Sequence, residues 1–276
     1  MDDDAPEGEP PVESSEPVDW LGRPVSCQDC PHAAIRVEGR CDLGRICVQD
    51  QRARRIDRFF AANTELAGSY LEHPYFEVRV LAAKHAPVFR LPSLLNDSEP
   101  DVRVMVAYRL PVVRLGALKA DPDRKVRMAI AQRLEGAELV AMLGDEDYAV
   151  RKVVAMRLPE DVVQIAMYDP EPEVRRVVAN RIPPEHLLKM KFDVDALVRI
   201  DVARRLPRER LTAMARDPDL RVRFLVAERG NREALEALMQ DPDIAVRKRA
   251  EERMEWRYGS ESADACEGED DDGTSA

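Results

Sequence analysis

Four of the five cysteines in the chain fall within 21 positions, as Cys27-Gln28-Asp29-Cys30, then Cys41, then Cys47; the fifth, Cys266, lies near the far end. Thiolates this close in sequence point to disulfides, structural zinc or an iron–sulfur cluster. Disulfides are disfavoured because the chain opens without the charged-apolar-small pattern of a signal peptide, so a reducing compartment is expected. A zinc site commonly uses two Cys-x-x-Cys pairs, and only the first is present. A cluster accepts irregular spacing, because each thiolate reaches its own iron. Spacing alone leaves iron and zinc both open. Pro24, Pro31, Gly39 and Gly44 supply the turns needed to wrap four sulfurs around one centre. His32, beside Cys30, is expected to face solvent in a turn rather than replace a thiolate, and Cys266 to be a bystander.

Arginine offers a second chemistry. One series follows a valine every 24 residues and includes Arg103, Arg127, Arg151, Arg175, Arg199 and Arg223; another runs Arg109, Arg133, Arg157, Arg181, Arg205, Arg229 and Arg253, with His85 in the corresponding place of the first unit. Stacked units would align each series in a row, where like charges at about 10 Å in water repel by only roughly 0.4 kcal/mol. Two uses compete. The rows could form a phosphate-binding or partner surface for nucleic acid or protein. Alternatively they bridge to the recurring Asp121, Asp145, Asp169, Asp193, Asp217 and Asp241, in the same or the neighbouring unit. The equal period of acids and arginines favours the second, and the absence of interleaved aromatics for base stacking argues against the first. Catalytic signatures are missing: there is no glycine-rich phosphate loop, nucleophile elbow or His-Glu-x-x-His, and only four histidines occur. A binding protein is expected, not an enzyme.

The elements that position these groups are set by the repeat. Val78-Arg79, Val102-Arg103, Val126-Arg127, Val150-Arg151, Val174-Arg175, Val198-Arg199, Val222-Arg223 and Val246-Arg247 keep one register. Within one unit, Val126, Ala129, Ile130 and Leu134 have helical spacing. Asp121-Pro122-Asp123 reads as its start, with an N-cap oxygen, a proline of preset φ and a carboxylate beside the positive helix end. Leu110-Pro111, Leu158-Pro159, Ile182-Pro183 and Leu206-Pro207 read as stops, because the residue before proline is pushed out of the α region. A shorter piece follows, with apolar residues three apart such as Leu115 and Leu118, or Leu211 and Met214, which suits a 3₁₀ turn better than a strand. One unit buries too little to fold alone, so stacking is obligatory.

These 24-residue units resemble the leucine-rich repeat variant family over roughly residues 76–253. The resemblance implies an all-α fold, with α and 3₁₀ helices alternating in a right-handed superhelical solenoid without β-sheet. It also implies an N-terminal four-cysteine domain holding a four-iron four-sulfur ([4Fe–4S]) cluster, with Cys27, Cys30, Cys41 and Cys47 in the ligand positions and zinc as the lesser alternative. A link to nitrogen-fixing bacteria, through electron transfer or metallocluster assembly, follows from the same resemblance, while the missing catalytic signals lead to the expectation of a scaffold that docks an unknown protein partner. The chain departs from its own pattern where Phe192-Asp193-Val194-Asp195 lacks the proline and where Arg229-Gly230-Asn231 replaces the Leu-Pro stop.

The net charge of −11 comes from the two ends. Residues 1–19 hold eight acids and residues 261–276 seven, with no Lys or Arg in either, leaving 38 acids against 42 bases in the body. Both ends also carry Pro, Ser and Gly, a composition expected to stay disordered and to solubilise. No apolar run approaches membrane length, so a cytoplasmic protein is expected. The organisation is therefore read as an acidic leader at 1–19, a four-cysteine iron–sulfur domain at 20–53, a degenerate capping repeat at 54–77, helical repeats at 78–258 and an acidic tail at 259–276. Residues 51–71 read as one helix, and Trp256 and Tyr258 as a lid after the last helix.

Overall fold

A computed structural model of the protein describes residues 16–28 and 30–258. The expected disorder of residues 1–15 and 259–276 falls outside them. Residues 16–19, assigned to the leader by composition, are instead built into the four-cysteine segment: the Gln51 N–H donates to the Val18 carbonyl, and the Asp19 carboxylate accepts from the N–H groups of Leu21 and Arg23. Among the described residues the only β-structure is two isolated bridges, and no helix is long and apolar enough to cross a membrane. The chain divides into two compact units, Met1–Leu134 and Glu135–Ala276.

In the first unit, the helices Ala53–Ala62, Phe76–His85, Pro100–Arg109 and Arg124–Ala131 pack in succession, with 3₁₀ turns at Val88–Leu94, Val112–Arg114 and Gly116–Ala120 between the repeats. Each repeat buries its valine, the residues four and five later and the closing residue eight later: Val102, Val106, Ala107 and Leu110 are all sealed, as are Val126, Ile130, Ala131 and Leu134, and in the first repeat Val78, Ala82, Ala83 and Ala86. Four such side chains per turn of the stack supply a continuous core that no single repeat possesses. The span 51–71 is not one helix. Asn63, fully buried, breaks it with φ −140° and ψ 58°, because its Nδ2 donates to the Phe59 and Arg40 carbonyls at 2.8 and 2.9 Å.

The second unit repeats the same device through Tyr148–Arg157, Pro172–Arg181, Ala196–Arg205, Leu220–Arg229 and Ile244–Tyr258. The connecting pieces are 3₁₀ at Met142–Gly144, Val163–Ala166, Pro184–Met190 and Arg208–Met214, but α-helical at Gly136–Ala141 and Arg232–Leu238. Trp256 and Tyr258 belong to the last helix rather than following it, and the guanidinium of Arg253 lies 4.9 Å over the Trp256 ring. Gly230 meets the need left by the missing Leu-Pro stop. A Cβ there would stand 2.7 Å from both the Val226 carbonyl oxygen and the Ala234 Cβ, so the two helices approach more closely than any other residue permits. Gly230→Ala is expected to destabilise the second unit by about 1–3 kcal/mol, read as a lowered urea midpoint; an unchanged midpoint would show the close approach to be relieved at no cost.

The Asp-Pro-Asp start works differently from its sequence reading. The N-cap is the second aspartate: Asp123, Asp147 and Asp219 accept from the N–H two residues on, and Asp195 from the next two N–H groups in range. The proline therefore precedes the cap, and only in Glu99-Pro100 and Glu171-Pro172 does it open the helix. The first aspartate accepts the N–H of the second through one oxygen, as Asp121 does at 2.9 Å, and serves as an ion-pair acceptor.

That pairing fixes the first arginine series. Arg103 donates from Nε and Nη2 to the two oxygens of Asp121 at 2.7 and 2.8 Å, while Nη1 reaches the Asp97 carbonyl at 2.6 Å. Arg79 treats Asp97 in the same way. In the second unit, Arg151, Arg175, Arg199 and Arg223 make the same two-pronged contact with Asp169, Asp193, Asp217 and Asp241, each 18 residues ahead. Arg127 is buried and sends Nη1 to the Asp121 and Pro122 carbonyls. Of the two uses weighed for Arg103, Arg127, Arg151, Arg175, Arg199 and Arg223, the favoured pairing with the recurring aspartates is the arrangement that Arg103, Arg151, Arg175, Arg199 and Arg223 adopt. The guanidinium groups of Arg103, Arg151, Arg175, Arg199 and Arg223 are nearly shut off from solvent and their donors point inward, because a bidentate carboxylate and backbone carbonyls satisfy the fork.

The second arginine series has a separate role. Nη1 of Arg109 donates to the carbonyls of Ala83, Lys84 and Ala86, and Nη1 of Arg133 to those of Ala107, Tyr108 and Leu110. Arg181, Arg205 and Arg229 do likewise in the second unit, reaching Ala155, Ala179 and Ala203. A helix ended by proline leaves its last carbonyls without partners, and each is served by a cation from the following repeat at its negative end. His85, in the matching place of the first repeat, contacts Asp57 instead, at 2.7 Å.

Candidate metal centre

The four cysteines lie on irregular backbone held by two small turns. Gly39 and Gly44, at φ 73° and 82°, take left-handed conformations that a side chain would strain. Around Gly44, Asp42 and Ile46 exchange backbone hydrogen bonds at 2.8 and 2.7 Å, which places Cys41 and Cys47 on either side of a tight loop. The Cys47 N–H then donates to the Arg55 carbonyl, tying the loop to the helix Ala53–Ala62. Asp50, sealed from solvent, fastens the same junction by accepting from the Arg52 N–H and from Arg55 Nη1 at 2.6 Å.

None of Cys27, Cys30, Cys41 and Cys47 forms a disulfide. Cys41 and Cys47 are 6% and 3% exposed, whereas Cys27 and Cys30 are half-buried. The four act on one another. Burial pushes the Cys41 thiol up, and the neighbouring charges of Cys30 and Cys27 push it further. Burial likewise raises Cys47 to about 11, against the pull of N–H donors on Gln49 and Asp50. The Tyr70 hydroxyl, raised to about 12 chiefly by its burial, also feels Cys30, Cys47 and Cys41. Among the described residues no three His, Cys, Asp or Glu side chains are drawn into the tight set that grips a single ion.

The donor chemistry suits an iron–sulfur cluster. The four thiols are free, two of them are buried, and backbone N–H groups point at one of these sulfurs, as occurs where protein tunes a cluster. Cys30 also borders a cleft of about 470 Å³, shared with Asp19, Arg23, Ser26 and Gln49, so one corner of the site is open to water.

His32 departs from its expected place. It is half-buried, its ring 5.0 Å from that of Phe59, and its Nε2 is in hydrogen-bond contact with the Tyr70 hydroxyl, while burial lowers its pKa. It packs beneath the thiol segment instead of facing solvent. Tyr70, Phe59 and Asp50 were not singled out as part of this site from sequence. Tyr70 lies 23 residues beyond Cys47 with no motif to mark it, and Asp50 differs in no visible way from the other acids nearby. The six arginines of the first series take no part in the site.

A solved structure described as a leucine-rich repeat variant with a novel repetitive protein structural motif is 40% identical, covers 83% of this chain and 98% of its own, and superposes with a TM-score of 0.77. The chain belongs to the leucine-rich repeat variant family. The all-α, strand-free repeat fold expected from the resemblance is the fold of this leucine-rich repeat variant. Within it, residues 17–69 match the family described as LRV protein FeS4 cluster, and residues 196–219, one repeat length, match Leucine rich repeat variant. The cluster match encloses all four cysteines along with His32, Asp50 and Phe59. An uncharacterized 27.7 kDa protein in the nifB 3′ region of Rhodobacter capsulatus is 50% identical over 88 residues, which span 32% of this chain and 36% of that protein.

Proposed function

We propose that this leucine-rich repeat variant holds a [4Fe–4S] cluster on Cys27, Cys30, Cys41 and Cys47 and that its helical repeats form a non-catalytic scaffold on which a protein partner docks. The cluster supplies one-electron transfer when bound. The carrying observation is that four free cysteines, two of them buried, lie inside the segment that matches the FeS4 family. A cytoplasmic setting in a nitrogen-fixing bacterium, in electron delivery or metallocluster assembly, is the role we assign; the relative beside nifB supports it. Nucleic acid is not the partner in this reading, since the arginines that suggested it turn their donors inward to carboxylates and backbone carbonyls.

The test is anaerobic purification followed by iron and acid-labile sulfide analysis and paramagnetic resonance before and after reduction. A brown protein with about four irons and four sulfides per chain is the expected result. A colourless protein carrying stoichiometric zinc overturns the cofactor assignment and leaves the thiols as a structural clip.

A further inference from the structure

In the second unit the paired arginines form the floor of a series of grooves whose walls are not paired. Position 168 is tyrosine, position 192 phenylalanine and position 216 arginine, spaced by one repeat. Tyr168 and Phe192 are 83% and 82% exposed, and Val194 is 91% exposed. One groove of about 470 Å³ lies between Tyr168 and Phe192 and includes Pro170 and Val194; a second, of about 210 Å³, lies between Phe192 and Arg216. A third, of about 390 Å³, continues on the other side of Tyr168 toward Leu143. Large apolar side chains this exposed and this contiguous mark an interaction surface.

The charge of the two grooves beside Phe192 decides what fits. Their acids, Asp169, Asp193 and Asp217, are each gripped by Arg151, Arg175 or Arg199, so they offer little to a ligand. The cations Lys189, Lys191 and Arg216 line the same grooves, and the Lys191 ammonium stands 4.6 Å over the Phe192 ring. The period decides the ligand's conformation. Packed helices are separated by about 8–10 Å, and a polyproline II strand advances about 9.3 Å per three-residue turn, returning the same face each time. An α-helix returns a face every 5.4 Å, so one turn falls short of that spacing and two turns, about 10.8 Å, overshoot it.

We propose that the grooves around Tyr168 and Phe192 bind an acidic, proline-containing peptide strand of a partner protein in polyproline II form, with one apolar residue in every three seated between successive walls. Prolines pack on the aromatic faces, and carboxylates between the apolar residues meet Lys189, Lys191 and Arg216. This deepens the scaffold reading, from which it takes only the existence of a protein partner; it is independent of the cluster.

The test uses the full chain and a fluorescein-labelled synthetic peptide of prolines and glutamates with leucine at every third position, followed by fluorescence anisotropy. Saturable binding that weakens with salt is expected. Tyr168→Ala and Phe192→Ala, both at exposed positions, are each expected to weaken it about 10-fold or more, and Lys191→Glu to weaken it further at low salt. The same composition with leucine at every fourth position is expected to bind worse. No binding of the first peptide, binding unchanged in both alanine variants, or equal binding of polyglutamate overturns the proposal. Iron and sulfide content, measured on the same samples, reports separately on the cluster: loaded protein that ignores the peptide sinks the groove alone, and cluster-free protein that binds it sinks the cofactor reading alone.

Discussion

Arg103→Leu is expected to cost about 3–5 kcal/mol at neutral pH, a large share of the stability of one compact unit. The substitution leaves the buried Asp121 carboxylate with the Asp123 N–H as its remaining hydrogen bond and only the weaker pull of the Arg127 charge, and strips the Asp97 carbonyl of a donor. An uncompensated buried charge is far more damaging than the same site with both charges removed. Arg103→Leu combined with Asp121→Leu should therefore recover part of the loss, though not all, since the Asp97 carbonyl and the Asp123 N–H remain unserved. Urea denaturation of the three proteins provides the measurement, and a single-variant loss below about 1 kcal/mol would place this ladder among surface ion pairs of little consequence.

The same pair dictates a pH dependence. Burial would raise the Asp121 carboxyl, but the hydrogen bonds from Arg103 and from the Asp123 N–H outweigh it and hold the group below the usual carboxylate range; Asp97 and Asp241 are depressed for the same reason. Depressed acids contribute stability that is present above their unfolded pKa of about 3.9 and is lost as pH falls through the lower folded value. The wild-type urea midpoint should hold at neutral pH and drop steeply below about pH 4. The gap between wild type and Arg103→Leu should narrow over the same range, because protonation relieves the variant of its stranded charge.

Most of the repeat was legible because its strongest signals are local. The Val-Arg period, the buried residues at four, five and eight positions after the valine, and the Leu-Pro stops each depend on the chain's own neighbours in sequence, and the helices end where those signals say. The division of labour between the two aspartates of Asp-Pro-Asp was not legible. Both are acids beside a helix start, and only the arginine arriving from 18 residues earlier decides that Asp121 is an ion-pair partner and Asp123 the cap. The role of the second arginine row was hidden for a related reason: its partners are backbone carbonyls of the preceding repeat, which carry no mark in the sequence. In the thiol segment, spacing identified the four cysteines and the glycine turns, but the Tyr70–His32 contact spans 38 residues and follows from packing against Phe59.

Cys41→Ser should remove most of the iron and the visible absorption while leaving the helical circular dichroism nearly unchanged. Serine nearly matches cysteine in size, so the tight loop between Gly39 and Cys47 keeps its hydrogen bonds, but a hydroxyl is a poor ligand for iron that prefers soft thiolate. Little helix is at stake, since before Ala53 the described residues form only the single turn Ala33–Arg36. Global loss of helix in this variant would mean that the cluster clamps the repeats as well as its own segment. The buried thiols add a condition to loading. Cys41 and Cys47 are raised by burial, and both must shed their protons before they can bind metal. Anaerobic reconstitution of the apoprotein with iron and sulfide should accordingly become faster and more complete as pH rises from about 6 to 9, with proton release accompanying uptake. Reconstitution that proceeds equally well across that range would show that Cys41 and Cys47 are reached as thiolates and are not shielded as their burial implies.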